Sequence, residues 1–298
     1  MNAPETTVEV TRPPSEELLA QWYAKHNIKV DADGNFTELP VIGASLSDDG
    51  IVEQVAANAL RHDVPNLRGL LYRPETMIFI AGGPSLKHFV EEIKAKCSDP
   101  GYDVYTSNRT CQWMIAHGMN PKFHVIVDPM EKKKLDLDYD GPDVAMILGL
   151  QCHPAVFDEA KRRGRKTFKF LAASTNRKNS DKSDCEAAKP AITREDPELI
   201  AIGGGSMAGT RMIYLAVALG YRRIEYYGFD ACSELLENGI VNNYAYPKPR
   251  QEAVTTVTAA NGRQFHSTIA LSRQADEIVQ LLENLPGLEV VVHVVEAP

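Results

Sequence analysis

Short, largely apolar runs recur along the second part of the chain, separated by stretches whose apolar residues return every three to four positions. The runs at 77–81, 103–107, 123–127, 144–148, 167–171, 223–227 and 288–294 predict strands. The stretches 85–97, 110–117, 154–163, 206–219 and 268–285 predict amphipathic helices. Strands apolar at successive positions are buried on both faces. Strand and helix in strict alternation make right-handed βαβ units and a mostly parallel sheet. The expected fold is therefore α/β, a Rossmann-like mostly parallel sheet with helices on both faces.

The first quarter follows a different pattern. Residues 1–14 are polar and rich in Pro and Glu. Ser15 caps a helical stretch over 16–26, with Leu18, Leu19, Trp22 and Tyr23 on one side. A turn follows at 31–34. A second helical stretch runs from Ser47 to about residue 62 and turns Ile51, Val52, Val55, Ala56 and Leu60 inward. Residues 1–70 read as a lead and N-terminal helical cap, and 71–298 as the main domain.

Composition narrows the function classes. A net charge of −8, with 44% hydrophobic and 24% charged residues, fits a soluble globular protein and disfavours a general nucleic-acid coat or an anionic membrane as partner. No apolar run approaches the roughly 18 residues needed to span a bilayer. The polar start is unlike a secretory signal. Five scattered cysteines without a Cys-x-x-Cys pair read as reduced thiols in a cytoplasmic compartment.

In parallel sheets, ligands sit outside the carboxyl ends of the strands, so the residues just after each run are the candidates. Gly82, Gly83, Pro84 and Ser85 follow the first run, and a tight glycine turn opening a helix leaves N–H groups free for a phosphate. Ser107 and Asn108 follow the second and can hydrogen-bond a sugar or base. Asp128, after the third, can hold Mg2+ or a ribose hydroxyl, or cap the next turn. Gly149, Gln151 and His153 follow the fourth, and His153 suits a helix start as well as a site. A second glycine cluster, Gly203, Gly204, Gly205 and Ser206, leads into an apolar helix and allows a ligand close to the backbone. Asp230 ends the 223–227 run. His266 stands before the last helix as a candidate proton acceptor. Tyr244 and Tyr246 can close over a ligand. The basic stretch 161–182 (Lys161, Arg162, Arg163, Arg165, Lys166, Arg177, Lys178, Lys182) reads as a solvated insertion or as a lid bringing positive charge to phosphates.

Four separated blocks resemble the MptE-like family, the domain named after an archaeal 6-hydroxymethyl-7,8-dihydropterin diphosphokinase. They are Ile80 to Leu86, the strand end at Val127, Asp128 and Pro129, the Gly204 to Ala208 cluster, and Ala218 to Asp230. The resemblance covers roughly 58–294. A weaker resemblance is to single-domain bacterial sialyltransferases, which share an Ala-Gly-x-Gly-Pro-Ser-Leu loop, an Asn after the second strand and a late histidine base. Gly83 and the long 161–182 stretch depart from that pattern.

Both resemblances imply a nucleotide-binding transferase acting on a small-molecule nucleotide and an alcohol acceptor. Phosphates would rest on Gly82–Ser85 and on Gly204, Gly205 and Ser206, with Asn108 and Asp230 orienting sugar or base. In the leading version ATP with Mg2+, the metal held by Asp128 and Asp230, gives its diphosphate to a hydroxymethylpterin-like alcohol. In the alternative a nucleotide sugar is the donor and His266 the general base, with Asp230 the second catalytic group. A non-catalytic nucleotide-binding or assembly protein is a third reading, and a homo-oligomer is left open.

Overall fold

The computed structural model describes residues 29–30, 36–38, 48–70, 72–140, 143–172, 196, 198–204, 207–232, 234–235, 240–242, 250–251, 255–258, 264–268, 271, 274, 277–278, 281–282, 285 and 287–293. The helix expected at 16–26, the glycine-cluster residues Gly205 and Ser206, the basic residues Arg177, Lys178 and Lys182, and Tyr244 and Tyr246 lie outside the described residues.

In chain order the elements are β1 (Lys29–Val30), β2 (Phe36–Glu38), α1 (Asp48–Ala59), β3 (Thr76–Ile80), α2 (Val90–Cys97), β4 (Tyr102–Ser107), α3 (Thr110–Ala116), β5 (Phe123–Ile126), β6 (Ala145–Gly149), α4 (Pro154–Arg162), β7 (Thr167–Ala172), β8 (Ala201–Ile202), α5 (Ala208–Ala218), β9 (Arg223–Tyr227), β10 (Glu234–Leu235), β11 (Ile240–Asn242), β12 (Arg250–Gln251), β13 (Thr255–Thr258), β14 (Gln264–Ser267) and β15 (Glu289–Val292). The seven apolar runs all became strands of one eight-stranded sheet, ordered β15-β9-β3-β4-β5-β6-β7-β8. Every pairing in it is parallel. The chain leaves β3 toward β8 in one direction, then returns through α5 to β9 on the other side. The strand order therefore reverses between β3 and β9, where a parallel sheet opens a crevice at its carboxyl edge.

Alternate side chains on each strand face opposite layers. On one face Met77, Phe79, Tyr105, Val125, Ile147, Phe170, Ile224 and Tyr226 pack under Met212, Ile213, Leu215 and Ala216 of α5 and under Leu281. On the other, Ile78, Ile80 and Val104 meet Ile93 of α2 and Met114 of α3. Ile126, Met146 and Leu148 meet Val156, Phe157 and Ala160 of α4. α1 joins this second face: Ile51 and Val55 pack on Leu150, Leu171 and Leu199, and Asn58 Nδ2 donates to the carbonyls of Leu150 and Cys152 at 2.8 and 2.7 Å. The buried Lys169 Nζ, on β7, donates to the carbonyls of Ala59 and Arg61 at 3.1 and 2.9 Å and closes the carboxyl end of α1.

Two expectations are corrected and two elements are added. The helix foreseen over 85–97 is a 3-10 turn, Pro84–His88, followed by α2. The break falls at Phe89, whose ring packs edge-on against Tyr227 and His293 at 5.5 and 5.8 Å. Residues 131–137 form a second 3-10 turn. Ala201 and Ile202 add an eighth strand beside β7. His266 lies within β14, paired with Thr256 of β13. Beyond the strand, Thr268 Oγ1 accepts from the N–H of the helical residue Leu271 at 3.2 Å, so His266 belongs to the strand ahead of the helical segment. Among the described residues no helix is long and apolar enough to cross a membrane.

A charged network ties α2 to the sheet. Glu225 on β9 is buried and accepts from Lys96 Nζ at 2.6 Å, His293 Nε2 at 3.0 Å and Arg223 Nε at 3.0 Å. Burial alone would push its carboxyl up, but these three partners reverse that and hold it down at about 2. A depressed carboxyl contributes stability that is present above its unfolded value of about 4.3 and lost as pH falls toward the folded one. Glu225→Gln is therefore expected to be less stable than wild type at pH 7, with the gap closing between about pH 4.3 and pH 2. Denaturant midpoints at stepped pH check this, and a constant gap across that window would refute it.

Candidate functional site

The site builds outward from Asp230, at the end of β9. The turn after β3 carries Gly82, Gly83, Pro84 and Ser85, all half-buried. It binds the β9 strand end: the Ala81 N–H donates to the Tyr227 carbonyl and the Gly83 N–H to the Gly228 carbonyl, both at 2.8 Å. The Ser85 N–H and Oγ then donate to the two carboxylate oxygens of Asp230, at 2.7 and 2.5 Å. A Cβ on Gly83 would stand 2.4 Å from Asp230 Oδ2 and 2.5 Å from the Gly228 carbonyl. The glycine is there so that a carboxylate can seat on the turn. The amides expected to cradle a phosphate, those of Gly83 and Ser85, are held by Gly228 and Asp230, so the turn presents Asp230 to the crevice. Burial pushes the Asp230 carboxyl up, more than its hydrogen bonds with Ser85 hold it down.

The second glycine cluster reaches the same strand end from the opposite face. Gly209 in the first turn of α5 lies against Phe229: a Cβ there would stand 2.2 Å from the ring. Tyr226 donates its hydroxyl to the Gly209 carbonyl at 3.0 Å. Gly204 is buried at φ +138, and a Cβ would meet the Arg211 backbone at 2.9 Å, so packing and backbone conformation demand that glycine. The Gly228, Phe229, Asp230 loop is thus held between the two glycine segments. β14 is pinned to it as well, since Ser267 Oγ donates to the Ala231 carbonyl at 2.7 Å. This places the strand of His266 beside the residue that follows Asp230.

A second group of side chains forms at the ends of β4 and β5. Asn108 has left-handed backbone, φ +52. The Ser107 N–H donates to Thr110 Oγ1 at 3.1 Å and fixes the start of α3. Asp128 Oδ1 accepts from the Met130 N–H at 2.9 Å, the turn-capping role foreseen as its alternative. His153 likewise caps a helix: Nδ1 accepts from the Ala155 N–H at 3.2 Å. Gln151 donates to the Val127 carbonyl at 2.9 Å.

Lys133, which sequence reasoning passed over, joins this group. Its Nζ lies 2.6 Å from Asn108 Oδ1 and 3.4 Å from both Asp128 Oδ2 and Asp136 Oδ2. Arg109 Nε pairs with the other oxygen of Asp136 at 2.8 Å. His124 is fully buried, and desolvation, aided by Lys133 and only partly opposed by the Asn108 backbone, pushes it down to about 3. The only signal in the sequence was the triplet Lys132, Lys133, Lys134, a second basic stretch besides 161–182.

Asp128 and Asp230 do not make one metal site. β5 and β9 are separated by β4 and β3, three steps of about 4.8 Å, and Asp128 faces an ammonium. Among the described residues no cluster of three His, Cys, Asp or Glu is placed to hold a metal. The first half of the basic stretch lies at the end of α4, which in a parallel α/β sheet is the edge opposite the crevice. There Lys161 pairs with Asp63, Arg162 with Glu159, and Arg163 with Glu159 and Asp138.

A family profile described as 6-hydroxymethylpterin diphosphokinase MptE-like matches residues 51–235. No curated protein matches the chain. Among solved structures, MAf glycosyltransferase from Magnetospirillum magneticum AMB-1 shares the fold, with a TM-score of 0.59 and 16% identity over 86% of this chain and 38% of that one. The chain therefore spans well under half of that protein's length. The profile covers more than half of the chain and includes β3, β4, β5, both glycine clusters and Asp230, so the chain belongs to the MptE-like family.

Proposed function

We propose that the chain is a nucleotide-dependent transferase whose donor lies along the carboxyl edge from Asn108 to Asp230, and that the group it transfers is a sugar. The observation carrying this reading is the seating of Asp230, with its raised carboxyl, at the β3/β9 switch point. Its basicity suits removal of a proton from an acceptor hydroxyl. As that hydroxyl oxygen attacks, the anomeric carbon–oxygen bond to the nucleotide phosphate breaks, and a glycosidic bond forms. His266 is the alternative base. Transfer of this kind needs no paired carboxylates around a metal, and Asp128 and Asp230 form no such pair. The fold neighbour is itself described as a glycosyltransferase.

Diphosphate transfer from ATP to a hydroxymethylpterin-like alcohol is the second reading, favoured by the family's description. In that case Mg2+ would arrive with the nucleotide. One experiment separates the two: thermal shift and turnover with ATP, CTP, CMP, UDP and GDP, each with Mg2+ or with chelator. A ligand at 100 times its Kd raises stability by about 2.7 kcal/mol. Sugar transfer predicts a pyrimidine or guanine nucleotide shift that survives chelation. An ATP response abolished by chelator would establish diphosphate transfer instead, and silence toward every nucleotide would leave the assembly reading.

A further inference from the structure

The cluster at the ends of β4 and β5 carries chemistry that the proposed reaction has not used. Lysine has only donors, so the Asn108 carboxamide must turn its oxygen to Lys133 Nζ, as the 2.6 Å contact requires. The amide nitrogen then points away from the lysine. Among the described residues nothing accepts from it, and it is not among the buried unsatisfied atoms, so it reaches solvent. Lys133 is itself held: its side chain is only 15% exposed, between the carboxylates of Asp128 and Asp136. A left-handed, non-glycine backbone at Asn108 is an uncommon conformation that Asn and Asp tolerate best. β4 is the immediate neighbour of β3, so this amide stands one strand from the turn that seats Asp230.

We infer that Lys133 is a positioning residue that locks Asn108 as a pure hydrogen-bond donor, so that the ligand presents an acceptor atom at this point. This rests on the nucleotide-transferase reading above. The acceptor is an oxygen or ring nitrogen of the nucleoside, or a phosphoryl oxygen. Lysine donating to Asn108 polarises the carboxamide and strengthens its N–H groups as donors. Removing the lysine leaves Asp136 Oδ1 paired with Arg109 and Asp128 Oδ1 with the Met130 N–H but takes the cation from the second oxygen of each, so Tm is read beside affinity.

The test uses Lys133→Met, Lys133→Arg and Asn108→Asp in the full chain. Affinities for ATP, CMP, UDP, GDP and inorganic phosphate are measured by titration, with Tm recorded for each variant. The nucleotide that binds wild type should bind Lys133→Met and Asn108→Asp about tenfold more weakly, while Lys133→Arg, which also offers only donors, stays near wild type. Asn108→Asp should not lower Tm, because a carboxylate accepts more strongly from Lys133; a purely structural asparagine would leave binding intact in that variant. Loss confined to nucleotides puts the acceptor on the nucleoside, and loss shared by inorganic phosphate puts it on the phosphoryl group. Wild-type affinity in Lys133→Met or in Asn108→Asp overturns the inference while the nucleotide reading stands. Absence of binding by wild type to every probe overturns both.

Discussion

Asp230→Asn should lower turnover by about 100-fold or more, within the range that general acid–base groups supply, while the protein remains folded. The substitution keeps the shape of the side chain. Its oxygen can still accept from the Ser85 N–H, and its amide can donate to Ser85 Oγ, so the turn after β3 stays seated. What is lost is the negative charge and the capacity to take a proton. The pH dependence sharpens the test. A base must be deprotonated to act, so wild-type kcat/KM should fall as pH drops through the raised carboxyl value, which lies above the ordinary Asp value of about 3.9. Residual activity in Asp230→Asn should lack that acid limb. If His266→Ala instead removes turnover and Asp230→Asn retains it, the proton goes to β14, and Asp230 serves only to position.

Gly83→Ala should damage both stability and activity through one steric event. The added methyl would stand 2.4 Å from Asp230 Oδ2 and 2.5 Å from the Gly228 carbonyl. The carbonyl is fixed, because it accepts from the Gly83 N–H at 2.8 Å. The carboxylate must therefore leave Ser85, or the turn must lift off β9. Overpacking of this kind costs about 1–3 kcal/mol, and each kcal/mol lowers Tm by about 2–4 °C in a domain of this size. Activity should fall along with that of Asp230→Asn. Wild-type Tm and turnover in Gly83→Ala would show that the turn and Asp230 do not meet in this way.

Six of the seven apolar runs are legible because three or more consecutive buried residues leave no amphipathic alternative, and Met77 to Ile80 are all fully buried. Asp230 and Asn108 were legible for a topological reason: strand ends in a parallel sheet share one edge. The purpose of Gly83 was not. A glycine before Pro and Ser suits a phosphate and a carboxylate equally well, and the choice depends on a residue 147 positions later that β9 brings alongside. Lys133 escaped notice because its partners come from two different strand ends, and only the parallel pairing of β4 with β5 brings them together. The metal pair of Asp128 and Asp230 looked reasonable along the chain, where both follow strands. The strand order put β4 and β3 between them.

The sequence by itself therefore determined the layered α/β fold, the edge of the sheet where chemistry gathers and most of the residues on that edge, because hydrophobic periodicity and the alternation of strand and helix along the chain are local properties. Tertiary structure alone decided which of those residues meet. The reversal of direction between β3 and β9 brings Asp230 onto the Gly82–Ser85 turn. The stretch that looked like a bare anion cradle is, in the folded chain, the seat of the protein's own carboxylate, because long-range strand pairing supplies a charge that local pattern cannot foresee.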